Sequence, residues 1–172
     1  MRRAATPGPL PREELVRQLL AAWARNDAIL RELLHHVPPG GLRAIPAGSR
    51  GREVAAQFWH LHRARVVWLA FHDGAKRPAL ARYDRGTPPT RTQLRRALTA
   101  SGAAVARFLE RAFAGDARPR LFRGEPVRWL AYLIAHESHH RGQILLALKQ
   151  AGMKVPDDVA VNRLWGSWIY GA

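Results

Sequence analysis

With 172 residues, 47% of them hydrophobic, the chain is long enough for one domain with a buried core, taken as 1–172, and too apolar for wholesale disorder. The absence of cysteine excludes disulfide scaffolds, thiolate metal sites and a cysteine nucleophile, and it suits a reducing cytoplasm. The net charge of +15 leaves a polyanion partner open, but 25 of the 28 basic residues are arginines spread along the chain, which favours a compositional origin over a nucleic-acid site.

Four long helices are predicted, with punctuation between them. The first runs from about Pro11 to Val37. Proline suits a first helical position, Glu13 and Glu14 complement the N-terminal dipole, and Leu15, Leu19, Ala22, Trp23, Ile29, Leu30, Leu33 and Leu34 recur at three- and four-residue steps. Pro38-Pro39-Gly40-Gly41 stops it. The second is placed from about Ser49, read as its cap, to Phe71; Val54, Phe58, Leu61, Arg65 and Trp68 form one stripe, with His60, Ala64 and Val67 beside it. A long crossover follows from Phe71 to Pro89, of the kind that lets helices in a bundle run parallel. The third starts at Thr90, whose spacing to Gln93 predicts a capping box, and carries Leu94, Leu98, Val105, Phe108 and Ala112 to Gly115. The fourth begins near Pro126, aligns Trp129, Leu133, His136, His140, Ile144 and Ala147, and ends at Gly152, read as a C-cap glycine. The tail, Asp157 to Ala172, holds Trp165, Trp168 and Tyr170 and is expected to pack back on the helices or on a second subunit. No period-two alternation marks a sheet, no apolar run approaches the roughly 18 residues of a membrane span, and the arginines at the start precede no apolar signal segment.

Five of the eight histidines fall in two groups, His60 and His62 in FWHLHRAR and His136, His139 and His140 in AHESHHRGQ. Positions four apart on a helix share a face, so His136 and His140 are placed to chelate one ion. A catalytic metal commonly has three protein ligands and an open position. His60, among apolar neighbours where an unpartnered imidazole is costly, is the first choice for the third ligand, and His62 is the alternative. His35, His36 and His72 are assigned to helix ends. The segment His136-Glu137-Ser138-His139-His140 also satisfies H-E-x-x-H, in which the glutamate is a general base. The match is short, and no later His or Glu supplies the usual downstream ligand. Glu137 is the only acid adjacent to the ligands and the candidate base, although a structural pairing with an arginine is slightly favoured. Gln143 is read equally as an orienting group for a ligand or as a surface hydrogen bond, and Arg141 as a salt-bridge partner more than an anion binder.

The segments YLIAHESHHRGQILLALKQAG, FWHLHRARVVWL, ASGAAVARFLERA and LWGSWIYG resemble those of the DinB-like superfamily, and the resemblance spans nearly the whole chain. It implies an all-α four-helix bundle with an up-up-down-down path, often dimeric, and a histidine triad that binds zinc, nickel or a similar ion. By motif the triad falls on His60, His136 and His140. Characterised members of the superfamily include thiol-dependent enzymes, among them bacillithiol transferases and a mycothiol-dependent isomerase.

The first expectation is therefore a divalent-metal-dependent enzyme that activates water or a small-molecule thiol, as a hydrolase or a thiol transferase. A thiol must come as a cosubstrate, since the chain has none of its own. The alternatives are a non-catalytic metal-binding protein and a basic nucleic-acid-binding helical protein.

Overall fold

The computed structural model describes residues 8–48, 51–74 and 82–171. Among them are four long α-helices, α1 (Arg12–His36), α2 (Val54–His72), α3 (Arg91–Ala114) and α4 (Pro126–Gln150), and no strand. A single 3₁₀ turn, Gly41–Arg43, follows α1. The chain closes with a π-helical segment, Val159–Trp165, and a short α5, Gly166–Tyr170. Helices α1 and α2 each pack against both α3 and α4, and the C-terminal segment lies on α1.

The helix ends follow local chemistry. The Thr90 hydroxyl accepts from the Gln93 amide while the Gln93 side chain accepts from the Thr90 amide, which completes the expected capping box. At the end of α4, Gly152 takes φ +70°, with Gly152 N–H donating to Lys149 and Met153 N–H to Leu148, a Schellman closure. The start of α2 differs from expectation. The helix begins at Val54 with Glu53 at its N-cap, so Ser49, which lies outside the described residues, is too far upstream to cap it. Gly51, inside the expected helix, is the local signal for the later start. Most of the crossover, residues 75–81, also lies outside the described residues.

Between α3 and α4 the backbone does something unusual. Phe122, Arg123 and Gly124 take φ of +58°, +56° and +73° in succession. For the two non-glycines this conformation costs roughly 1–2 kcal/mol each, because Cβ crowds the following carbonyl. The segment is held by the Phe122 ring, which packs on Trp68, His72 and Tyr132.

The core has two apolar compartments. One gathers Ile29, Leu30, Leu33, Phe58, Leu61, Leu94, Leu98, Ile144, Leu148 and Val155 with Val159 and Leu164 of the tail. The other gathers Trp23, Val105, Phe108, Leu109, Trp129, Leu130 and Leu133. Between them every long helix contributes buried polar residues at the same level: Asn26 and Asp27 from α1, Arg65 from α2, Ser101 from α3, Glu137 and Arg141 from α4. Arg65, with no solvent exposure, is the hub of this layer. Its Nε and Nη2 donate to the two Glu137 oxygens at 2.7 and 2.9 Å. Its Nη1 donates to Asp27 at 2.7 Å and to the Leu98 carbonyl at 3.2 Å. Two cations and two carboxylates meet there, so the layer is neutral as a set. Gly102 makes room for it: a Cβ there would lie 2.3 Å from the Asp27 carboxylate.

The tail divides its aromatics. Trp168 packs against the first compartment, as expected, whereas Trp165, Ile169 and Tyr170 are exposed at 68%, 70% and 80%.

Candidate metal centre

Three imidazoles converge where α2 faces α4. His60 comes from the middle of α2, and His136 and His140 from successive turns of α4. One donor nitrogen from each lies within 4.8 Å of the others. The Nε2 atoms of His60 and His136 are 3.4 Å apart. Two imidazoles on a tetrahedral ion with bonds of about 2.0–2.1 Å hold their nitrogens about 3.3 Å apart, so this spacing fits a shared cation. The rings of His60 and His136 each lie 4.8 Å from that of His140.

Burial prepares the donors. Desolvation, followed by the charges of Arg52, His136 and Arg63, lowers the His60 pKa to about 4. Desolvation likewise takes His140 to about 4, with smaller contributions from the other histidines and Arg52, and it lowers His136. All three rings are therefore neutral at physiological pH, the form that offers a lone pair to a metal. The charge of Arg52, exposed just before α2, acts on all three.

His140 has its own anchor. Its Nδ1 lies 3.3 Å from Oε1 of Gln57, a side chain only 2% exposed on α2. An amide oxygen only accepts, so the ring proton sits on Nδ1 and Nε2 is left free for an ion. Sequence reasoning missed Gln57. Its one signal was a lone amide within the apolar run Val54-Ala55-Ala56-Gln57-Phe58, one turn before His60 and Leu61. Gln143, considered for this role, bonds the exposed His139 at 2.9 Å instead.

The other candidates are placed as follows. His62 is not one of the three grouped histidines; it bonds toward Ala97 of α3 and sits against Trp59. His72, expected as a helix-end cation, is buried among Trp68, Phe108 and Trp129, and desolvation lowers its pKa. Both Glu137 oxygens are taken, by Arg65 and by the Asn26 amide at 2.6 Å, and the residue is 1% exposed. Arg141 donates to Asn26 and Ser138 at 2.7 and 2.6 Å, forming hydrogen bonds rather than the expected salt bridge.

Among the described residues the chain is helical without strands, and its three clustered, neutral histidines on two facing helices form a group that could hold a metal ion. The chain matches the DinB family over residues 4–167 and is a member of it. No curated protein matches the sequence. No helix among the described residues is long and apolar enough to cross a membrane.

Proposed function

We propose that this DinB-family protein is a divalent-metal-dependent enzyme whose ion is held by His60, His136 and His140, with zinc or nickel the expected occupants. The observation that carries this reading is the 3.4 Å approach of the His60 and His136 Nε2 atoms, with His140 turned to the same point by Gln57. That pair alone could be an N–H···N hydrogen bond between neutral rings; the third donor, His140, brought within 4.8 Å of both is what favours an ion.

Held by three neutral ligands, such an ion would acidify a bound water or thiol. The chain's own residues then have distinct tasks. The triad supplies three donors and, among the described residues, no fourth His, Asp or Glu joins the group, which leaves room for a substrate atom. Arg52 puts positive charge beside the site, which favours an anionic substrate or the anionic form of a thiol. A thiol is a separate small molecule, because the protein has no cysteine. Glu137 is not the base in this reading: its carboxylate is buried and already bonded to Arg65 and Asn26, and its task is to anchor α4 behind the ligands.

The up-up-down-down path, a cytoplasmic location and a homodimer belong to the same proposal. The exposed Trp165, Ile169 and Tyr170 support self-association.

Two measurements test the reading. Tag-free protein should carry one equivalent of metal by elemental analysis, and the His136→Ala/His140→Ala double variant should carry almost none. Equal content in both refutes the site. Low-molecular-weight thiols offered with electrophiles, alongside a panel of hydrolysable esters and amides, should show turnover that a chelator abolishes. Metal without any chelator-sensitive turnover would instead favour a non-catalytic metal-binding protein.

A further inference from the structure

We propose that Tyr132 and Phe122 form a stack that positions the ligand His136, and that the left-handed turn before α4 exists to deliver it. This rests on the metal-centre reading and extends it to two residues that touch no ion.

The three histidines are not secured alike. His60 and His136 meet each other at their Nε2 atoms, and His140 is bonded through Nδ1 to Gln57. Metal-binding histidines nearly always have such a partner, because the free ring otherwise turns about its side-chain bonds. His136 has a ring beside it. Tyr132, one turn earlier on α4, lies almost parallel to it, with centroids 5.6 Å apart and planes at 14°. A flat surface against one face of an imidazole restricts the same rotation that a hydrogen bond would restrict.

Tyr132 is in turn fixed from outside its helix. Phe122 packs on it at 5.2 Å, and Trp68 of α2 meets it edge-on at 5.8 Å. Phe122 and Trp68 also meet each other at 5.4 Å, so the three rings form a closed set. Phe122 takes this position in a turn where it and Arg123 hold positive φ ahead of Gly124. Disfavoured backbone of this kind persists where the surroundings require it, and it gathers at functional sites. Here the turn ends in a contact with the ring behind a candidate ligand.

The test uses the tag-free full chain at pH 7.5. Zinc affinity is measured by competition with a chromophoric chelator, and the geometry is followed through the visible absorption of the cobalt(II)-loaded protein. Tyr132→Phe, which keeps the ring, should bind zinc within about twofold of wild type. Tyr132→Leu and Phe122→Leu, which keep apolar bulk but remove the flat surface or its support, should each weaken zinc binding about tenfold or more. Both should also change the cobalt spectrum. Affinities are read well below each variant's melting temperature in chelator, so loss of fold is separated from loss of positioning. Zinc binding in Tyr132→Leu and Phe122→Leu within twofold of wild type, with an unchanged spectrum, overturns the stack while leaving the metal centre standing. A wild-type chain that takes up no zinc or cobalt overturns the parent reading.

Discussion

Replacing Arg65 by methionine removes the hub of the buried polar layer while leaving an unbranched stem of similar reach in the core. The guanidinium makes four hydrogen bonds, to both Glu137 oxygens, Asp27 and the Leu98 carbonyl, and its carbon lies 4.9 Å from the centre of the Trp23 ring. After the substitution Asp27 keeps Arg31 at 2.9 Å, but Glu137 keeps only the neutral Asn26. Stranding one member of a buried ion pair costs about 3–5 kcal/mol. For a chain of this size each kcal/mol moves the melting temperature about 2–4 °C, so a fall of about 10 °C is expected. Urea unfolding and thermal melting of the metal-free protein measure it. The double variant Arg65→Met/Glu137→Leu, which removes both charges, should recover much of the loss. A penalty below about 1 kcal/mol, or one unaffected by the second substitution, would refute the assignment of Arg65 as an electrostatic hub.

Three other outcomes follow from the site and its surroundings. Because burial depresses His60 and His140 to about 4, below the unfolded value of 6.5, the metal-free protein should be fully stabilised by their neutral forms above pH 6.5. It should lose that stability as pH falls toward 4, and a urea midpoint that is flat over this range in wild type, or equally sloped in a His60→Ala/His140→Ala variant, would count against it. Gly102→Ala should destabilise by about 2–4 kcal/mol by driving Asp27 off Arg65, whereas Gly142→Ala, with open space at its Cβ, should be neutral or slightly stabilising; chemical denaturation compares them. Gln57→Leu should weaken zinc binding about 10–100-fold by freeing the His140 ring, and chelator competition showing wild-type affinity would remove Gln57 from the site.

Much of this was legible from residue spacing. The four helices, the Thr90 cap and the Gly152 stop are written in short-range chemistry, which a sequence displays directly. The pairing of His136 with His140 is helical periodicity, and the family motif pointed to His60. What spacing does not display is which polar groups meet across helices. Arg65 was seen to fall on an apolar stripe, but its partners lie on three other helices and are brought together only by packing. For the same reason Glu137 could be weighed as a base: its place one residue from a ligand is visible, and its burial against Arg65 and Asn26 is not. Gln57 and Tyr132 escaped notice because neither residue type signals a metal; their meaning comes from the rings they touch.

The neutral layer between the two apolar compartments also limits how the helices can slide. Leucine and valine surfaces are forgiving, and a helix shifted by one turn, 5.4 Å, still finds oily neighbours. A guanidinium is not forgiving: the same shift would carry it away from both carboxylates and leave unlike charges facing hydrocarbon. Mispacked alternatives are thereby penalised far more heavily than the native alignment is rewarded. Since His60 and His136 ride on the same two helices as Arg65 and Glu137, a device that fixes the phase of the helices also sets the spacing of the nitrogens.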